Sequence, residues 1–138
     1  METLYTATAV ASGDGRNGHV QSTDKLIDAD VRVPKEMGGA GGATNPEQLF
    51  AAGYAACFHS ALKLVASQAK ADTTDSEVVA DVSIGPNGSG GFGLAVQLEV
   101  ALPALDRDEA QRLVEQAHQV CPYSNATRGN IEVTLSVA

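Results

Sequence analysis

The feature that most constrains this chain is the stretch at 45–70, which reads as a helix with almost no polar face. Asn45 can cap it, and Pro46 occupies the first helical position, where a missing N–H costs nothing. Beyond that start, Leu49, Phe50, Ala51, Ala52, Ala55, Ala56, Cys57, Phe58, Ala61, Leu62, Leu64, Val65 and Ala66 spread around nearly the whole circumference. A helix that is apolar all round must be buried all round. One chain of 138 residues with short strands has difficulty enclosing it. The many alanines also permit close approach of another backbone. The expectation is therefore a homodimer whose partner covers the remaining face.

The flanking segments alternate as half-buried strands do. Residues 3–12 alternate roughly, the turn GDGRNG occupies 13–18, and 19–23 form a short second strand. Residues 26–33 place Ile27, Ala29, Val31 and Val33 on one face. Residues 77–84 and 92–102 pair through the connector GPNGSGG, with Phe92, Leu94, Val96, Leu98, Val100 and Leu102 sharing a face. Asp106 caps a second helix, and Glu109 completes a capping box. Ala110, Leu113, Val114, Ala117 and Cys121 form its apolar stripe, and Pro122 stops it at Cys121. Residues 130–137 make a last strand. The order βββαββαβ with short connections predicts an α+β fold, antiparallel sheets packed on helices, in a single domain over 1–138.

Composition excludes several classes. A net charge of −8 repels phosphate backbones and anionic lipid surfaces, so neither nucleic acid nor a membrane is an expected partner. No apolar run approaches the ~20 residues of a spanning helix. METLYTATAV has neither the basic nor the long apolar region of a secretory leader, and the expected location is cytoplasmic. The cysteines, Cys57 and Cys121, are too sparse for a secreted disulfide scaffold. In a reducing compartment they are either idle core residues or a redox pair.

Cys57 lies too deep in its helix for the N-terminal dipole to lower its pKa, so a reactive thiol there needs a nearby cation. Cys121, beside Pro122, stands where the chain moves more easily than in mid-helix. Arg16 lies in a turn that Gly13, Gly15 and Gly18 allow to fold inward, although turn arginines are commonly solvated. Glu47 sits in the first helical turn, where a carboxylate also interacts favourably with the helix dipole. It is roughly 15 Å along the axis from Cys57 at ~1.5 Å per residue, so the two cannot touch within one straight helix. Either Arg16 bridges them or an antiparallel partner helix supplies its own Glu47. The loop GGAGGAT lacks both phosphate-binding registers and reads as a flexible lip. His19, His59 and His118 offer no compact metal-ligand set, and no cofactor is expected.

Two strings carry a resemblance. TNPEQLFAAGYAACF at 44–58 is similar to the signature around the reactive cysteine of the organic hydroperoxide resistance (Ohr) branch of the Ohr/OsmC family. VCPYSNATRGN at 120–130 resembles the signature around that family's second cysteine. Both are long and nearly unbroken, and the element order agrees along essentially the whole chain.

The resemblance implies an OsmC-like fold, with antiparallel sheets wrapped around long central helices in an intertwined homodimer. It implies reduction of organic hydroperoxides to alcohols by thiols, without metal, haem or flavin. Cys57 then matches the peroxidatic cysteine, Cys121 the resolving cysteine, and Arg16 and Glu47 the residues that organise the thiol. The implied reductant is dihydrolipoamide on lipoylated proteins. Phe58, Met37 and Tyr123 are candidates for an apolar mouth that admits alkyl or lipid hydroperoxides. Two alternatives stand beside this reading: a peroxidase of the osmotically induced branch, or a non-catalytic dimer that binds a small apolar ligand. The dimer has its own check. Sedimentation at micromolar concentration should give twice the chain mass, and a well-folded monomer would remove the basis for it.

Overall fold

In the computed structural model, which describes residues Met1–Ala138, the chain runs βββαββααβ. Its backbone groups into two compact units, Met1–Leu49 and Phe50–Ala138.

The first unit is a small antiparallel sheet of β1 (Ala9–Ser12), β2 (His19–Ser22) and β3 (Asp28–Asp30), in that order. Residues 3–8 alternate in sequence but pair with nothing as strand, so β1 is shorter than the pattern suggests. The β1–β2 turn winds through a short 3-10 helix, Gly15–Asn17. Gly13 and Gly15 adopt φ of +79° and +57° there, a left-handed conformation that glycine enters without Cβ strain. At Gly18 a side chain has no room, because a Cβ would lie 2.2 Å from the Ser12 carbonyl oxygen. A second 3-10 turn, Lys35–Met37, precedes the glycine-rich loop. Val31 is the one buried apolar side chain of this unit, and Ile27, expected on the same face, is half exposed.

Helix α1 (Pro46–Gln68) opens as its sequence predicts, with the Asn45 side chain accepting from the Gln48 amide at 2.9 Å. Its length and composition are sufficient to cross a bilayer, contrary to the expectation that no segment reaches that size. Several of its residues are instead buried within the second unit: Tyr54, Phe58, Ala61, Leu62, Val65 and Ala66. This stripe follows i, i+4, i+7, i+8 spacing, the signature of one buried face. Ala52 and Ala56 are exposed, and Leu64 is 51% exposed, so the remaining circumference is uncovered within the chain.

The stripe packs with the sheet of β4 (Glu77–Pro86), β5 (Phe92–Ala101) and β6 (Glu132–Val137) and with helix α2 (Arg107–Val120). Val96, Leu98 and Val100 of β5 and Ala110, Leu113, Val114 and Ala117 of α2 complete the core. Phe92, at the strand's start, is 72% exposed. Asp106 caps α2 through the Glu109 amide at 2.9 Å, as the capping box predicts. Strands β4 and β5 are antiparallel, but β6 runs parallel to β5, which corrects the expectation of wholly antiparallel sheets. The connection from β5 to β6 passes through α2 and a further helix, α3 (Pro122–Thr127). Such a crossover returns the chain to the same sheet edge in the same direction.

On the first sheet, His19 bridges the Asp30 carboxylate through Nδ1 at 2.8 Å and the Asp28 carboxylate through Nε2. These hydrogen bonds, Asp30 first, raise the His19 pKa above 6.5, and Arg32 acts on Asp30 from β3's end. A raised folded-state pKa adds stability that is fully present below 6.5 and is lost as pH rises through the folded value. Protection factors of the amides across the Val20–Ala29 pairing, corrected for the intrinsic pH dependence of exchange, should therefore fall above the His19 midpoint read by NMR. Protection unchanged through that titration would show that the two aspartates do not fasten this hairpin.

Candidate functional site

The second unit brings the cysteines together. Cys57 is half-buried on α1, three residues after Tyr54 and seven after Phe50, so it shares their helix face. Cys121 is fully buried, and the two Sγ atoms lie 3.4 Å apart as free thiols. Cys121 reaches this position because Pro122 disfavours helical backbone at the residue before it. Cys121 takes φ −60° and ψ 123°, ends α2 with its amide on the Ala117 carbonyl at 2.8 Å, and starts α3. The sequence reading expects a stop at Pro122 but not the second helix, in which the same proline is the first residue.

Beside the expected Tyr123 lie two side chains, Phe50 and Tyr54, that sequence reasoning did not single out. The rings of Phe50, Tyr54 and Tyr123 form a trio with centroids 5.7–6.1 Å apart. Gly53 admits Tyr123 to the helix surface, since a Cβ at 53 would stand 3.1 Å from the Tyr123 hydroxyl. The fully buried Tyr54 shares hydrogen bonds with Ser124 Oγ at 2.8 Å and Thr127 Oγ1 at 3.0 Å. The i, i+4, i+7 spacing of Phe50, Tyr54 and Cys57 is the signal that could have found this face.

Burial pushes the Cys57 thiol up from its ordinary value. The Tyr123 backbone amide opposes that shift, and the neighbouring Cys121 thiol reinforces it. Within this unit the balance favours the neutral thiol, because desolvation outweighs one amide donor.

In the first unit, Arg16 and Glu47 form a two-pronged pair. Nη1 donates to Oε2 and Nη2 to Oε1, each at 2.8 Å. The fork matches carboxylate geometry and fixes the guanidinium plane. The Arg16 bond holds the Glu47 carboxyl below its ordinary 4.5, against a smaller opposing effect of burial. The same bond raises Arg16.

The apolar-mouth candidates separate. Tyr123 is 40% exposed beside the thiol pair, and Met37 is 44% exposed in the first unit. Phe58 is fully enclosed in the core, which corrects its expected place at an open mouth. It follows Cys57 directly, and adjacent helical residues diverge by about 100°, so the two cannot share an outlet. No three His, Cys, Asp or Glu side chains converge as metal ligands would.

Comparison with known proteins agrees with this architecture. A family model described as OsmC-like protein matches residues 39–136. An organic hydroperoxide resistance protein of Xanthomonas axonopodis pv. citri is 58% identical over 137 residues, covering 98% of this chain and 95% of the relative. A crystal structure of an organic hydroperoxide resistance protein from Elizabethkingia anophelis is 57% identical, with a TM-score of 0.95 over 100% of this chain and 99% of that one. A Legionella pneumophila structure, described as an organic hydroperoxide resistance protein and predicted redox protein, is 52% identical, with a TM-score of 0.94 and 99% of each chain covered. The α+β architecture, the facing thiols and these whole-length similarities place the chain in the OsmC-like protein family.

Proposed function

We propose that this chain is a cysteine-based peroxidase that reduces organic hydroperoxides to alcohols, one OsmC-like domain over its full length. The observation that carries the reading is the unequal burial of two free sulfurs 3.4 Å apart. Cys57 is partly open to solvent, whereas Cys121 is sealed in the core, so peroxide meets Cys57 first. The names of the full-length relatives support the same substrate class.

In this mechanism the Cys57 thiolate attacks the terminal peroxide oxygen. The O–O bond breaks, alkoxide leaves and takes a proton to become the alcohol, and Cys57 becomes a sulfenic acid. Cys121 then attacks the Cys57 sulfur. The S–O bond breaks, water leaves, and a disulfide closes before further oxidation can occur. An external dithiol, dihydrolipoamide of a lipoylated protein in this proposal, reopens the bridge by exchange.

Cys57 is pushed toward the neutral thiol by burial, so the thiolate needs a cation as well as the Tyr123 amide. Arg16 is assigned that role, with Glu47 fixing its plane. The guanidinium also donates to peroxide oxygen as charge develops on the leaving alkoxide. The Phe50 and Tyr123 rings, with Met37, are assigned the apolar surface that selects alkyl or lipid chains. A second copy of the chain covering the exposed Ala52, Ala56 and Leu64 faces of α1 belongs to the same proposal, as does a cytoplasmic location.

Mixing reduced protein with cumene hydroperoxide should remove both thiols rapidly and stoichiometrically, and unchanged thiols would mark a non-catalytic binder. Cys57→Ser should lose peroxide reduction down to background. Cys121→Ser should allow a single oxidation and no intramolecular disulfide; normal disulfide cycling in its mass spectrum would overturn the assigned order. Arg16→Ala should raise the Cys57 pKa by about one unit or more, read from the pH profile of alkylation. An unaltered profile would mean that another cation activates the thiol. A steady-state comparison of dihydrolipoamide, glutathione and thioredoxin identifies the reductant, and dihydrolipoamide should be preferred.

A further inference from the structure

The mechanism above leaves one buried polar group unused. The Tyr54 hydroxyl meets Ser124 Oγ at 2.8 Å and Thr127 Oγ1 at 3.0 Å, and the Thr127 hydroxyl also donates to the Ser124 carbonyl at 3.3 Å. Tyr54 and Ser124 are fully buried, and Thr127 is nearly so. Hydroxyls in an apolar core lose their water and recover that cost through one another. Apolar side chains of the same shape could fill the space with little loss of stability. Filling the core therefore does not account for three hydroxyls converging on one point.

Their placement in the fold supplies an account. Tyr54 stands one helical turn before Cys57, while Ser124 and Thr127 follow Cys121 on α3. The hydrogen bonds tie the helix that carries one sulfur to the segment that carries the other. Tyr123, whose amide acts on Cys57 and whose ring lies against Gly53, is the immediate neighbour of Ser124. We propose that Tyr54, Ser124 and Thr127 form a hydroxyl clasp that positions Cys121 for attack on oxidised Cys57. They are positioning residues, since none of them touches the reacting atoms. The inference rests on the peroxidase reading and adds to it a determinant of how the sulfenic acid is resolved.

The Cys57 sulfenic acid has two fates. In the first, the Cys121 sulfur bonds to the Cys57 sulfur, the S–O bond breaks, and hydroxide leaves as water with the proton of the Cys121 thiol. In the second, the sulfenate sulfur attacks a further hydroperoxide. The peroxide O–O bond breaks, one oxygen joins the sulfur as sulfinic acid, and alcohol leaves. The first fate depends on the geometry between the two cysteines, where a displacement of about 1 Å is costly. The second depends on peroxide concentration. The ratio of disulfide to sulfinic acid at fixed peroxide therefore reports how well Cys121 is placed. Both products arise from the same sulfenic acid, so any change in the first oxidation cancels.

The test treats reduced protein with a graded excess of cumene hydroperoxide and counts disulfide and sulfinic products by intact mass. Tyr54→Phe keeps the ring and removes one oxygen. It should lower the disulfide-to-sulfinic ratio roughly two- to tenfold, the range set by one net hydrogen bond. Ser124→Ala, which removes the 2.8 Å partner, should lower it in the same direction. Thr127→Ser retains the hydroxyl and should keep the wild-type ratio. Circular dichroism checks each fold, and if Tyr54→Phe does not fold, Ser124→Ala carries the comparison. A wild-type ratio in a folded Tyr54→Phe or Ser124→Ala protein overturns the clasp, even if its melting temperature falls. Failure of the peroxidase reading looks different: Cys57 of the wild-type protein would then stay unoxidised.

Discussion

The geometry of the thiol pair depends on one backbone constraint, the extended conformation that Pro122 imposes on Cys121. Without it, the stripe of α2 would carry Cys121 onward along a straight helix. With ψ at 123°, the residue closes one helix and opens the next, so a single position serves as C-cap and N-cap. The change of direction seats three successive features against α1: the Cys121 sulfur at Cys57, the Tyr123 ring at Gly53, and the Ser124 and Thr127 hydroxyls at Tyr54. The contacts use three residues of α1, Gly53, Tyr54 and Cys57, within little more than one turn of it. A glycine at 53 is part of this arrangement, because a side chain there would press on the tyrosine.

The corner in turn needs a firm base, which the core provides. Leu98 and Val100 of β5 and Leu113, Val114 and Ala117 of α2 are essentially inaccessible to water. Fully burying a large apolar side chain contributes about 1.5–3 kcal/mol, more than the roughly 1 kcal/mol net of an internal hydrogen bond. Apolar packing therefore holds α1 and α2 in place, and the few polar contacts at the corner set direction. The parallel return of β6 beside β5 follows from the same layout. Two helices intervene between those strands and bring the chain back to its starting edge, whereas the short connector between β4 and β5 compels an antiparallel turn.

Much of this was legible in the sequence because local signals and the fold agree. Asn45 and Asp106 cap as their residue types require, and the alternation of β4 and β5 places the expected faces inward except at Phe92, the first residue of β5. The strings around the two cysteines were readable as a family resemblance, and the same resemblance singled out Arg16 and Glu47, which the structure joins in a fork. What escaped depends on tertiary context. A helix apolar on every side gives no clue to which face is core, so Phe58 was assigned to an opening and Tyr54 to nothing. Residues 3–8 carry strand-like alternation without a neighbouring strand to pair with. Helix α3, which Pro122 opens, holds six residues, too few for periodicity to show, and its two buried hydroxyls look like ordinary loop composition.

Each of the two units carries its own electrostatic arrangement. In Phe50–Ala138, burial raises the Cys57 pKa and the Tyr123 amide opposes it, so the sulfur rests as a neutral thiol. A neutral thiol is a poor nucleophile and is slow to oxidise. In Met1–Leu49, the Arg16 fork is assembled on Glu47 with both hydrogen bonds made, so the guanidinium plane is fixed in advance. Glu47 lies 14% exposed and Arg16 40%, which keeps the pair screened on one side and the cation available on the other. A carboxylate that satisfies only part of a five-donor guanidinium leaves N–H groups free for a developing anion. An Arg so held supplies charge in a fixed plane, which a solvated turn arginine cannot do, and that pre-organisation is the physical reason for pairing it with Glu47.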